Sequence, residues 1–145
     1  MKISTKGRYG LRAMIDLAVN SDGKELINLK SISERQNLSE RYLEQIFSVL
    51  KKNGLVNSIK GPQGGYIPSK EIRQISVGDI LRALEGSLHI VDSQDTINDK
   101  IEDCIKNNVW KKMNESIDKI VDNITLEDLV FEYKKSIIEG YMYYI

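Results

Sequence analysis

In the stretch SERYLEQIFSVLKK, Arg41, Gln45, Ser48 and Lys52 recur at spacings of four, three and four. On a helix, at about 100° per residue, these side chains share one face. An arginine can fork onto guanine O6 and N7 in the major groove, and a glutamine onto adenine N6 and N7. Ser39 and Tyr42 stand at the start of the same stretch, where they can reach phosphates or base edges. Further on, KGPQGG puts Lys60 at the base of a tip rich in glycine and proline. A lysine there can enter a narrow minor groove or bind its phosphates. Lys2, Lys6 and Arg8 add cations from the N-terminus. This is chemistry for holding a polyanion rather than for breaking bonds. No nucleophile is paired with a base and no set of metal ligands is present. The GPQGGY stretch lacks the lysine and following helix of a nucleotide-binding loop. No enzyme is expected.

These side chains need elements to hold them. Leu43, Ile46, Phe47 and Leu50 follow an i, i+3, i+4, i+7 pattern almost opposite Arg41 and Gln45, so they predict a buried face. Ser39 suits the N-cap, Glu40 suits the positive end of the helix dipole, and Gly54 suits a left-handed stop. Before this helix, Leu11, Met14, Ile15 and Ala18 predict a helix over 4–19, and Leu29 and Ile32 a short one over 28–36. After it, 55–59 and 66–67 read as two short strands around the glycine-rich tip, with Pro68 suited only to an edge. Helix, turn, amphipathic helix and basic hairpin, in that order, make a winged helix-turn-helix. Taken singly, the helix also reads as a plain surface helix and the hairpin as a structural one. Their combination favours DNA.

The second half differs. Ser76 and Asp79 resemble a capping box opening a helix over 76–84. A polar, acidic link follows over 86–98. Then Ile101, Ile105, Val109, Met113, Ile117, Ile120 and Ile124 predict a long helix over 99–123. At about 1.5 Å per residue it runs ~36 Å, more than a small domain covers, so part of the stripe is expected to meet a second copy. Ile105, Val109, Met113, Ile117 and Ile120 are the expected dimerisation residues. Thr125 to Asp128 opens a last helix to about 138, where Gly140 is expected to release the tail YMYYI. The expected fold is therefore mainly α with a small β-wing: a winged helix-turn-helix over 1–73, a fourth helix and link over 74–98, dimerisation helices over 99–138 and a tail over 139–145.

The net charge of zero hides a division. Residues 1–73 carry 13 Lys/Arg against 7 Asp/Glu, and residues 74–145 carry 8 against 14. A basic first half fits an anionic partner such as nucleic acid. No run reaches the roughly 18 apolar residues of a membrane span, and the N-terminus has no apolar signal core. A cytoplasmic protein without membrane contact is expected. The lone Cys104 and lone His89 exclude an internal disulfide framework and leave too few ligands for a protein-only zinc site.

The stretches MKISTKGRYGLRAMIDLA, SERYLEQIFSVLKKNGLV and IKGPQGGY resemble the Rrf-two family of bacterial transcription regulators, over nearly the whole chain. The resemblance implies a dimeric winged-helix protein on pseudo-palindromic double-stranded DNA. It implies DNA contacts at Ser39, Arg41, Tyr42 and Gln45 and, on the wing, at Lys60, Gly61, Gly64 and Gly65. Glu44 matches a position linked to the choice of site type, although the helical face count puts it at the flank. One branch of the family holds an iron–sulfur cluster on three cysteines. Only Cys104 remains here, so no cofactor is expected. Cys104, between Ile101 and Ile105, reads as a small core residue, with a redox-sensitive thiol as the alternative. His89 reads as solvated.

Within the family, the beginning MKISTKGRYGL and the ending YMYYI resemble a cluster-less branch that represses cysteine and sulfur metabolism. That resemblance implies control through cysteine synthase, the O-acetylserine thiol-lyase. A terminal carboxylate can occupy a pocket built for an amino-acid carboxylate. On this reading Ile145 docks there, and Tyr143 and Tyr144 pack at the mouth. The alternative for the tail is packing on the dimer itself. Two other functions stay open: a regulator that senses redox state through Cys104 or binds a small ligand directly, and a protein that regulates cysteine synthase without DNA.

Overall fold

The computed structural model describes residues 2–92 and 99–143. Helix α1 spans Thr5–Ser21, α2 spans Leu29–Gln36 and α3 spans Glu40–Lys52. Strands β1 (Val56–Ile59) and β2 (Gly65–Pro68) pair antiparallel, with Val56 opposite Pro68 and Ile59 opposite Gly65. A 3-10 turn over Ile72–Gln74 leads to α4 (Val77–Glu85). After the link come α5 (Lys100–Ile105), a wide π-turn (Lys106–Trp110), α6 (Lys111–Asn123) and α7 (Leu126–Tyr143). This is a winged helix-turn-helix followed by long helices.

The helix ends follow from local chemistry. The hydroxyls of Ser4, Ser39 and Ser76 and the side-chain oxygen of Asn28 each accept a backbone N–H of the first turn. Ser76 with Asp79, and Thr125 with Asp128, form reciprocal capping boxes. At the end of α3, Leu55 N–H donates to Leu50 O and Gly54 N–H to Lys51 O, with Gly54 at φ +72°. This Schellman turn reverses the chain into the wing.

One core unites α1 to α3, the start of the wing, α4 and the first turn of α7. Met14, Leu17, Ile32, Leu43, Ile46, Phe47 and Leu50 have no exposed surface. Asp16 is nearly buried on α1. Its carboxylate accepts two bonds from the Arg35 guanidinium at 2.9 and 2.8 Å and one from Gln36 at 2.8 Å, which fastens α2 to α1. The side-chain bond to Asp16 raises the Arg35 pKa above its ordinary value.

A smaller cluster joins α4 to α6 through Val77, Leu81 and Leu88 against Ile117, Val121 and Ile124. Beside it, Arg82 of α4 donates to both Asp118 and Asp122 of α6. Bonds to Asp122 and then to Asp118 raise its pKa.

Three sequence expectations change. The long helix is not uniformly α: Lys111 N–H reaches back to Lys106 O, inserting a wide turn. Residues spaced by four drift about 40° per step on an α-helix, and one inserted residue takes up roughly 100° of that drift. The turn therefore helps keep Ile101, Ile105, Val109, Met113 and Ile117 near one stripe. Second, Cys104 is exposed rather than in the core. Ile101 beside it is 74% exposed, so this face looks away from the chain's own body. Third, Gly140 does not end the last helix, which continues to Tyr143. Tyr144 and Ile145 lie outside the described residues.

Replacing Asp16 by alanine removes the acceptor that Arg35 and Gln36 share. Losing a buried charge partner is strongly destabilising, but Arg35 is partly exposed and can turn to water. A loss of about 2 kcal/mol is expected by urea unfolding.

Candidate nucleic-acid interface

The face of α3 opposite the core carries Arg41, Gln45, Ser48 and Lys52, all exposed. Glu44 is exposed as well. Ser39 accepts the Tyr42 N–H at 3.1 Å, so its hydroxyl oxygen is already engaged in the cap. Tyr42 is half-buried and meets Tyr9 of α1 edge to face, with ring centroids 6.2 Å apart. The Arg8 guanidinium lies 5.9 Å from the Tyr9 ring centre. Arg8, Tyr9 and Tyr42 thus bring the basic start of α1 beside the start of α3. Lys2 and Arg8 are exposed there, and Lys6 is half-buried. Among the described residues, Lys2, Lys6, Arg8, Arg41, Lys52 and Lys60 form no ion pair. Their charges remain available to an outside anion.

The wing is held to the head at three points. Phe47 of α3 packs on Tyr66 of β2, with ring centroids 4.9 Å apart. Ile27 and Tyr66 exchange two backbone hydrogen bonds of 2.8 Å, making the chain before α2 a short third partner of the hairpin. Lys51 Nζ donates to Ser58 Oγ at 2.6 Å, tying the last turn of α3 to β1. Lys51, Tyr9 and Ser58 carry no helical or motif signal of their own. Their roles depend on where the strand and α1 fold back, which spacing along one element does not reveal.

The wing glycines divide by cause. A Cβ on Gly64 would run into the carbonyl of Ile59. A Cβ on Gly65, at φ +156°, would lie 2.6 Å from the carbonyl oxygen of Ile27. Both are demanded by the hairpin's own packing, whatever they touch outside. Gly61, at φ +112°, has open space around it and needs glycine for its backbone conformation alone. Lys60 beside it is exposed.

The chain matches the family model Rrf2, described as an iron-dependent transcriptional regulator, over residues 3–132. The chain belongs to the Rrf2 family. It is 45% identical over 145 residues to the HTH-type transcriptional regulator CymR of Bacillus subtilis strain 168, covering 100% of both chains. The solved structure of CymR, the global cysteine regulator of B. subtilis, superposes with a TM-score of 0.79 at 43% identity, over 91% of this chain and 98% of that one. The structure of T. potens IscR gives a TM-score of 0.73 at 46% identity, over 94% and 90%. This Rrf2 protein is a DNA-binding transcription regulator and not an enzyme. No helix among its described residues is long and apolar enough to cross a membrane.

The iron named in the Rrf2 description finds no matching donors here. The sulfur of the single cysteine, Cys104, accepts from the Asn108 amide at 3.8 Å and from no other group among the described residues. Among the described residues no three His, Cys, Asp or Glu side chains gather as a metal site. An iron–sulfur cluster needs several thiolates, and these residues do not fit one.

Alanine at Gly64 or Gly65 should distort the hairpin and lower the thermal midpoint. Alanine at Gly61 should cost about 1–3 kcal/mol, the penalty of its positive φ without a clash. Thermal unfolding followed by circular dichroism separates the two kinds of glycine.

Proposed function

We propose that this Rrf2 protein is a cytoplasmic homodimeric repressor of cysteine and sulfur metabolism genes, controlled through complex formation with cysteine synthase. The observation that carries the DNA part is the α3 face, with Arg41 and Gln45 exposed amid cations that no described carboxylate neutralises. Arg41 and Gln45 read base edges, Ser39 and Tyr42 contact the backbone at the start of α3, and Lys2, Lys6, Arg8 and Lys52 flank them on phosphates. Lys60, Gly61, Gly64 and Gly65 lay the wing on the adjacent groove. The full-length likeness to a protein described as the global cysteine regulator supports the choice of genes.

Dimerisation is supported by the apolar surface left on the long helix. Val109, Met113 and Ile120 are 40–59% exposed, whereas Ile105 and Ile117 are half-buried and Ile117 already packs on α4. A stable partner would bury about 800 Å² on each side. In the dimer two α3 helices would address adjacent major grooves of a pseudo-palindrome.

Control through the tail uses the Ile145 carboxylate in the synthase pocket for an amino-acid carboxylate, with Tyr143 and Tyr144 at its mouth. Tyr143 is helical and 90% exposed, so it is free to meet a partner. An exposed Cys104 favours a second reading, direct redox sensing, under which mild oxidation releases DNA reversibly and Cys104→Ser abolishes the effect.

Arg41→Ala should weaken operator binding by about 1–3 kcal/mol and relax preference at one base pair. Lys60→Ala should weaken all duplexes alike and lower the salt-dependence slope by about 1. Fluorescence anisotropy across a salt series reads both, and unchanged binding by both variants would overturn the docking. For the tail, calorimetric titration into cysteine synthase should show binding that is lost on deleting Ile145 and competed by O-acetylserine. Binding that survives the deletion would return the tail to the dimer.

A further inference from the structure

Beside the clamp between α4 and α6 lies a cavity of about 450 Å³, within the size range of small-ligand sites. One wall is the π-turn and the start of α6, and the other is the chain leaving α4. Lys106 and Lys111 line it from the π-turn side. Glu115 and Asp118 line it farther along α6, and Asp92 from the link. Trp110, half-buried, supplies the aromatic surface. Asn114 fixes the relation of the walls, because its Oδ1 accepts the Ile90 N–H at 2.9 Å.

The charges decide what would fit. Among the lining residues Lys106 and Lys111 are the fixed cations and Asp92 and Glu115 the free carboxylates, while Asp118 is already engaged by Arg82 at 2.8 Å and lies 3.8 Å from His89, which also lines the cavity. A dianion would meet those carboxylates, and a polyamine would meet the lysines. A ligand with one charge of each sign and a short apolar part satisfies both sets and the indole. We propose that this cavity binds a small zwitterionic metabolite of the amino-acid class. Its carboxylate faces Lys106 and Lys111, its ammonium faces Glu115 and Asp92, and its side chain lies on Trp110. The π-turn contributes geometrically: such insertions re-aim the side chains around them and recur at functional sites.

The position gives binding a route to the DNA face. Asp118 borders the cavity and also holds Arg82, and α4 packs directly on α1 and α3. A ligand held between the link and α6 would alter how α6 sits beside the Arg82 clamp and shift the long helix against the head. This inference does not rest on the cysteine synthase reading.

Trp110 is the only tryptophan in the chain, so its emission reports on the surroundings of the cavity. The full-length protein is titrated with each common non-aromatic L-amino acid up to about 10 mM, well above a Kd of about 1 mM. At least one should change the emission saturably. The methyl ester and the N-acetyl form of that amino acid, each lacking one charge, should bind at least about tenfold more weakly. Lys111→Ala and Glu115→Gln, both at exposed positions and checked for fold by circular dichroism, should each weaken binding by a similar factor. No saturable change with any amino acid would overturn the proposal. So would a response that both variants, or both one-charge analogues, leave intact. DNA binding measured on the same samples stands or falls separately.

Discussion

The proposed DNA face of this molecule depends on one buried surface. Leu43, Ile46, Phe47 and Leu50 must leave water together, and the core formed by α1, α2 and α4 accepts them. Burying four such side chains contributes roughly 1.5–3 kcal/mol each before chain entropy is counted. That fixes the rotation of α3 about its axis. The outward position of Arg41 and Gln45 follows without any contact of their own to hold them. A face made this way is determined by its opposite side.

Around that surface the structure adds fasteners of a different kind. Asp16 with Arg35 and Gln36 joins α1 to α2, and Arg82 with Asp118 and Asp122 joins the head to the long helix. These bonds differ in burial: Asp16 is almost without solvent, whereas both partners in the Arg82 pairs are more than a third exposed. Exposed pairs contribute little to stability. The Arg82 contacts serve better as a joint that can exchange partners than as a weld.

The sequence was most informative where signals were local. Helix α3 was legible almost to the residue because its apolar spacing, the Ser39 cap and Gly54 all agree. The capping box at Ser76 and the helix start at Thr125 were legible for the same reason. The π-turn was not, because one inserted residue depends on which carbonyl a given N–H selects and leaves no compositional mark. The run of Ile101, Ile105, Val109 and Met113 at spacings of exactly four residues was its one indirect trace. Cys104 was misplaced because an apolar stripe shows that a face seeks cover but not that its own chain supplies it. Gly140 misled because glycine in a helix costs only about 1 kcal/mol, too little to stop one whose neighbours on both sides favour it. At the interface, the cations on α3 were visible in the pattern, whereas the Lys51–Ser58 tie and the packing reasons for Gly64 and Gly65 needed the folded hairpin.

The three-point attachment of the wing has a consequence for how such a protein can be switched. Phe47 on Tyr66, the Ile27–Tyr66 backbone bridge and Lys51 on Ser58 make α3 and the wing a single stiff body. A stiff body cannot be tuned by altering its grip. In the proposed dimer the adjustable quantities are the distance and the angle between two such bodies. A signal arriving at the long helices would then be read out as a mismatch with the helical repeat of the operator, much as calipers set to the wrong span fail to seat although each jaw is intact.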